Sequence, residues 1–189
     1  MDKPVSLEEY VEGLAGCLRG LDLGRVRRIG DLLLEARDGG KRVFLFGNGG
    51  SAAIASHFAA DLNKGLAGGR EKRFRAICLS DNVPSVTAWA NDSDYADIFR
   101  EQMENFLEPG DVAFAISASG NSENVVRAVG FAAGRGAVTI GLCGMGGGRL
   151  KGAVSCALVV GSGVMEQVED VHSCVCHMLK IYLLGRASE

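Results

Sequence analysis

The stretch VFLFGNGGSAAIASHFAADL, residues 43–62, changes character twice. An apolar run at 43–46 has the length of a buried strand, glycines and a serine interrupt it from Gly47 to Ser51, and a helical pattern takes over at Ala52. A strand, a glycine turn and a helix in this order predict an α/β unit. The amides of the turn and of the first helical turn then face one shared space.

The same alternation continues along the chain. Short apolar runs at 43–46, 76–79, 112–116, 138–142 and 157–160 are bounded by glycine or polar turn residues, and helical patterns occupy 52–64, 95–107, 124–135 and 165–184. Alternating strands and helices predict right-handed crossovers and a mostly parallel five-stranded sheet covered on both faces, a three-layer α/β/α sandwich. From 7 to 36 apolar residues recur at helical spacing with a break around 20–24, which predicts an N-terminal helical hairpin ended by Gly39 and Gly40. Glycines at 144–148 predict a flexible loop.

Length and composition limit the function. A chain of 189 residues suits one domain, 1–189, and no apolar run approaches the roughly 20 residues that span a bilayer. The first ten residues are polar and acidic rather than a leader, so no membrane association and a cytoplasmic protein are expected. A net charge of −3 disfavours nucleic acid, although Arg70, Lys72, Arg73 and Arg75 could together meet a small anion. The six cysteines, Cys17, Cys78, Cys143, Cys156, Cys174 and Cys176, contain no CxxC pair and read as reduced, mostly buried thiols.

Two strand-to-helix turns have the composition of anion sites. In the first, Gly47, Gly49 and Gly50 let backbone approach a ligand, and Ser51 can cap the helix or donate to a phosphate oxygen. In the second, SASGNS at 117–122, the hydroxyls of Ser117, Ser119 and Ser122 surround Gly120. Neither loop has the GK[ST] of a P-loop, and Ala52 stands where a dinucleotide fold would have its third glycine. Asp81, the candidate ribose-binding acid, lies well past the roughly 20 residues at which that fold places it. Hydroxyls and amides without a lysine suit the monoester phosphate of a sugar.

Ionisable residues gather on two helices. His57 and Asp61 are four apart and share a face; Glu169, His172 and His177 lie on the last helix, the first two of them three apart. Imidazoles beside carboxylates suit a divalent cation or proton transfer.

Together GNGGSAAIASHFAADL, ISASGNS and EDVHSCVCH resemble the sugar isomerase (SIS) domain and, within it, the phosphoheptose isomerase branch, over nearly the whole chain. The resemblance implies a flavodoxin-like sandwich. It also implies interconversion of sedoheptulose 7-phosphate and glycero-manno-heptose 7-phosphate through an enediol. A divalent metal, usually zinc, would be held by the positions matching His57, Asp61, Glu169 and His177, with Asp61 and His177 as the acid/base pair. Asn48, Gly49, Gly50, Ser51, Ser117, Ser119 and Ser122 fall where the phosphate is anchored, and the loop residues Asn91 and Asp92 where the sugar pocket is lined. A homotetramer with sites at subunit interfaces follows from the same likeness, with 1–38 as the packing hairpin.

Departures from the branch pattern qualify the substrate. Asp61 replaces a glutamate, Glu169 a glutamine and Ala118 a threonine. Two carboxylates with two imidazoles should hold a cation more tightly than the usual set. Eight helical residues span about 12 Å, so Glu169 and His177 could share one ion only by leaning together. His172 is not selected by the resemblance and is expected behind the ligands or at a subunit interface. The alternatives are an isomerase of another sugar phosphate, a phosphosugar-sensing module, and a regulator that binds the bacterial replication initiator.

Overall fold

The computed structural model describes residues 5–67 and 72–186. In the first strand, β1 (Arg42–Phe46), Val43 and Leu45 pack into one apolar cluster and Phe44 and Phe46 into another, because successive side chains leave opposite faces of a sheet. Both faces are therefore buried, and each fully buried phenylalanine contributes about 2 to 3 kcal/mol. The remaining strands are β2 (Arg75–Cys78), β3 (Val112–Ser117), β4 (Val138–Cys143) and β5 (Cys156–Val159). All pairings are parallel, in the order β2-β1-β3-β4-β5. The order reverses between β1 and β3, and ligands of such sheets bind outside the carboxyl ends of the strands at that reversal.

Helices cover both faces. On one side lie α2 (Leu23–Asp38), α3 (Gly50–Ala60) and α8 (Met165–Arg186), whose Ile29, Leu33, Phe58, Val171, Val175 and Leu179 join Val43 and Leu45. On the other lie α4 (Val83–Asp92), α5 (Ile98–Glu104), α6 (Glu123–Gly134) and α7 (Gly148–Ala153), against Phe44 and Phe46. The α1 helix (Leu7–Arg19) starts at a capping box in which Ser6 accepts from the Glu9 amide and Glu9 from the Ser6 amide. None of its residues is buried. It docks on α8 through the Tyr10 hydroxyl, which donates to Asp170 at 2.6 Å and is held up to about 12 by that bond.

Some expectations need correction. Residues 83–92, where Asn91 and Asp92 were expected in a loop, form α4, started by Asn82 accepting from the Ser85 amide and by Pro84 in the first turn. The helix expected to 64 changes hand-hold at Asp61: α3 passes into a π-helical turn, Asp61–Gly65. The glycine segment at 144–148 is tied down by Gly144 to Ala118, Met145 to Ser162 and Leu150 to Gly120 backbone bonds, and α7 starts within it. The basic cluster is spent on carbonyl oxygens, Lys72 on Asp38, Arg73 on Asn63 and Arg75 on Gly40, while Arg70 lies outside the described residues.

At the sheet's edge, the Asn63 amide donates to the Ala76 carbonyl at 2.9 Å and accepts from the Ala76 N–H at 3.0 Å. All six cysteines are free thiols; Cys143, Cys156 and Cys176 are buried and the others half-buried. Among the described residues no helix is long and apolar enough to cross a membrane.

Candidate active site

The turns after β1 and β3 meet at the reversal point of the sheet. Asn48, Gly49, Gly50, Ser51, Ser117, Ala118, Ser119 and Ser122 line one cavity of about 330 Å³ with Ile116, Met165 and Glu169. That volume is at the small end of ligand sites, roughly 300–1,000 Å³. Gly49 caps α3 at φ +54° and ψ −124°, a conformation closed to L side chains. Ser51 therefore does not cap the helix; it lies inside the first turn, buried, and its hydroxyl makes no hydrogen bond among the described residues. Ser122 precedes α6 without a side-chain cap bond, and its hydroxyl stands 3.4 Å from that of Ser117. Gly120, at φ +65°, lets the second turn touch the 144–148 segment: a Cβ there would come 2.1 Å from the Gly147 carbonyl oxygen.

Asn48 is anchored from behind. Its amide exchanges two 2.9 Å bonds with the buried Asn124, and its oxygen accepts from the Tyr95 hydroxyl at 3.0 Å. The cavity thus presents hydroxyls and the amide ends of α3 and α6, with no lysine or arginine among its lining residues.

Glu169 is the charged exception. An added Cβ on Gly50 would lie 2.3 Å from its Oε2, so the carboxylate rests against the first turn of α3. From there α3 and α8 run side by side in one direction, and the other ionisable residues come together further along. His57 and His177 rings meet edge to face at 5.1 Å, and His57 Nε2 lies 3.8 Å from Asp61 Oδ2. One donor atom each from His57, Asp61 and His177 falls within 4.8 Å of the others. Asp61 Oδ2 is buried with no hydrogen-bond partner, which is costly for a carboxylate oxygen unless a cation or proton donor meets it. The donor set and this orphaned oxygen fit a divalent metal ion. The structure does not bring Glu169 to the group.

Asp61 Oδ1 does have a partner, the ammonium of Lys180 at 2.6 Å. Nothing singled out Lys180 in the sequence, although it lies three residues past His177 and so on the same helix face. Asn124, Tyr95 and Met165 were missed as well, since each reaches the site only through tertiary packing. Burial, and then the Asp61 charge, push the Cys176 thiol up, so it stays protonated beside the group.

His172 lies behind the site, fully buried, with Nε2 donating to the Cys143 carbonyl at 3.1 Å and Nδ1 without a partner. Burial lowers its pKa to about 4, against the smaller opposing effect of that bond. Asn91 and Asp92 sit exposed in the last turn of α4, bonded to each other at 2.7 Å and outside the cavity.

Known proteins share this fold. Residues 10–144 match the SIS domain family. A phosphoheptose isomerase of Nitratiruptor sp. is 41% identical over 152 residues, covering 78% of this chain and 79% of the relative. Solved phosphoheptose isomerases of Neisseria gonorrhoeae and Francisella tularensis superpose with TM-scores of 0.84 and 0.87. They share 28% and 25% identity, and the matches cover 93% and 94% of both chains respectively. The chain belongs to the SIS domain family and is an aldose-ketose isomerase acting on a phosphorylated sugar.

Proposed function

We propose that the chain interconverts sedoheptulose 7-phosphate and glycero-manno-heptose 7-phosphate. The observation that carries this reading is the distance between the two halves of the site. Gly50 at the phosphate-type cavity and His57 in the ionisable group are seven helical residues apart, about 10 Å. A substrate that reaches both must hold its phosphate at one end and its reacting C1–C2 pair at the other, as a long open-chain sugar phosphate does.

The cavity's hydroxyls and helix-end amides anchor the phosphate, and the Asn48–Asn124–Tyr95 bonds keep the first turn in place. At the reacting end Asp61 and His177 act as the acid/base pair. One accepts the proton from the carbon beside the carbonyl as the other protonates the carbonyl oxygen. The first then returns its proton to the former carbonyl carbon of the enediol while the second takes the hydroxyl proton of the neighbouring carbon, which becomes the new carbonyl, so both groups end as they began. A divalent cation, with zinc the best match to this donor set, would be held by His57, Asp61 and His177. It would supply positive charge to polarise the carbonyl.

Exposed Leu7, Val11, Ile181 and Leu184 on α1 and α8 support a homotetramer packed through the 1–38 hairpin, with sites completed at subunit interfaces. The single-domain reading of 1–189 is part of the same proposal, and six free thiols support a reducing, cytoplasmic setting.

The test is isomerisation of sedoheptulose 7-phosphate by the purified protein with added Zn²⁺. Turnover is expected, with His177→Ala and Asp61→Asn lowering kcat by about 10²- to 10⁴-fold. A folded protein that binds the sugar phosphate without turning it over would move the substrate to another phosphosugar.

A further inference from the structure

Lys180 is the unexplained charge of the site. Its side chain is 31% exposed and Asp61's is 12%, so the pair is partly screened from water, while His57 and His177 beside it are exposed. The placement depends on the turn it approaches. Gly65 closes the π-helical segment that Asp61 opens, and a Cβ on Gly65 would come 3.0 Å from Lys180 Cε. The missing side chain leaves room for the lysine stem to pass along α8 and end on Asp61 Oδ1. The other carboxylate oxygen is left facing His57 and His177, with no partner of its own.

We propose that Lys180 is a positioning residue for the His57–Asp61–His177 group: its ammonium fixes one oxygen of Asp61, presents the other to the histidines and cancels the carboxylate charge, so that the group holds a divalent cation loosely. The inference rests on the reading of this group as a cation site. It reverses the tight site expected from two carboxylates and two imidazoles. Glu169 lies at the cavity between the glycine and serine turns, and the one carboxylate left in the group is paired with the compact ammonium of Lys180. A cation approaching Oδ2 meets that ammonium across a single carboxylate, at a separation where partial burial of Asp61 leaves the repulsion incompletely screened.

Cation affinity is the direct readout. Co²⁺ and Zn²⁺ are titrated against a chromophoric chelator for the full chain and for His177→Ala, Lys180→Gln, Lys180→Met and Lys180→Arg, each checked for unchanged circular dichroism and Tm. His177→Ala is expected to weaken binding by at least about 100-fold. Lys180→Gln, which keeps a hydrogen-bond donor without the charge, and Lys180→Met, which keeps neither, should both bind about tenfold more tightly. Lys180→Arg should stay within about threefold of the parent, since it restores the charge. Equal or weaker binding in both neutral variants would show that the lysine is only a tether and would overturn the proposal while leaving the cation site intact. If His177→Ala binds the ions as the parent does, the cation site itself is misplaced and the role of Lys180 falls with it.

Discussion

Where α3 and α8 meet the carboxyl edge of the sheet, the site is made almost wholly of backbone and hydroxyls: Gly49, Gly50, Ser51, Ser117, Ser119 and Ser122 around a cavity without a cationic side chain. About 10 Å along the same two helices it is made of side chains, with His57, Asp61, His177 and Lys180 drawn from positions more than a hundred residues apart in the chain. The first kind of site depends on how closely backbone segments can approach. The second depends on how charges compensate one another. A change at either end should therefore fail in its own way.

The most damaging change is expected at the backbone end. Gly120→Ala combines a positive φ with a Cβ 2.1 Å from the Gly147 carbonyl, a backbone atom that cannot swing aside. It should cost about 4 kcal/mol of stability, read by urea unfolding. A loss under about 1 kcal/mol would mean that the two segments part easily and that the cavity wall is not rigid.

His172, on α8 between the two ends, gives the next largest effect. Its folded pKa lies below the ordinary value, so the unfolded chain takes up a proton first as pH falls. This group's stabilisation is complete above about 6.5 and is lost as pH falls from there to about 4, where the folded protein also protonates, a total of about 3 kcal/mol. Unfolding free energy measured across that window should fall less steeply in His172→Leu than in the parent. Parallel curves would show that the imidazole is protonated in the fold.

The smallest change sharpens the contrast. Glu169 sets a like charge beside the phosphate cavity, so Glu169→Gln should tighten binding of the sugar phosphate up to about tenfold, less at high salt. The same substitution should cost about 0.5 kcal/mol of stability by removing a carboxylate from the start of α3. Unchanged affinity would place the bound phosphate away from this wall.

The two ends also differ in how plainly the sequence shows them. GNGG and SASGNS are local patterns, and the alternation of apolar runs with helical stretches was enough to bring both turns to one edge of a parallel sheet. The ionisable end was visible only in part. His57 and Asp61 share a helix face by spacing, but the conversion of α3 to a π-helical turn at Asp61 has no local sequence signature, and that turn is what lets Lys180 in. Glu169 lies at the other end because eight residues carry it about 12 Å back along α8 from His177, and its side chain turns to Gly50 rather than leaning toward the histidines. In α4 the signals were present, Asn82 as cap and Pro84 in the first turn, but Ser, Asn and Asp serve loops equally well.

The bond between Asn63 and Ala76 has a consequence for the molecule among its neighbours. An edge strand exposes a row of unpaired donors and acceptors that can recruit a strand from another chain and seed fibrils. Here a side-chain amide takes up both polar groups of Ala76 and so imitates one rung of a missing strand, in the same segment that carries Asp61. A residue lost from that turn would disturb the carboxylate that faces His57 and His177 and, in the same stroke, uncover β2 to intermolecular pairing.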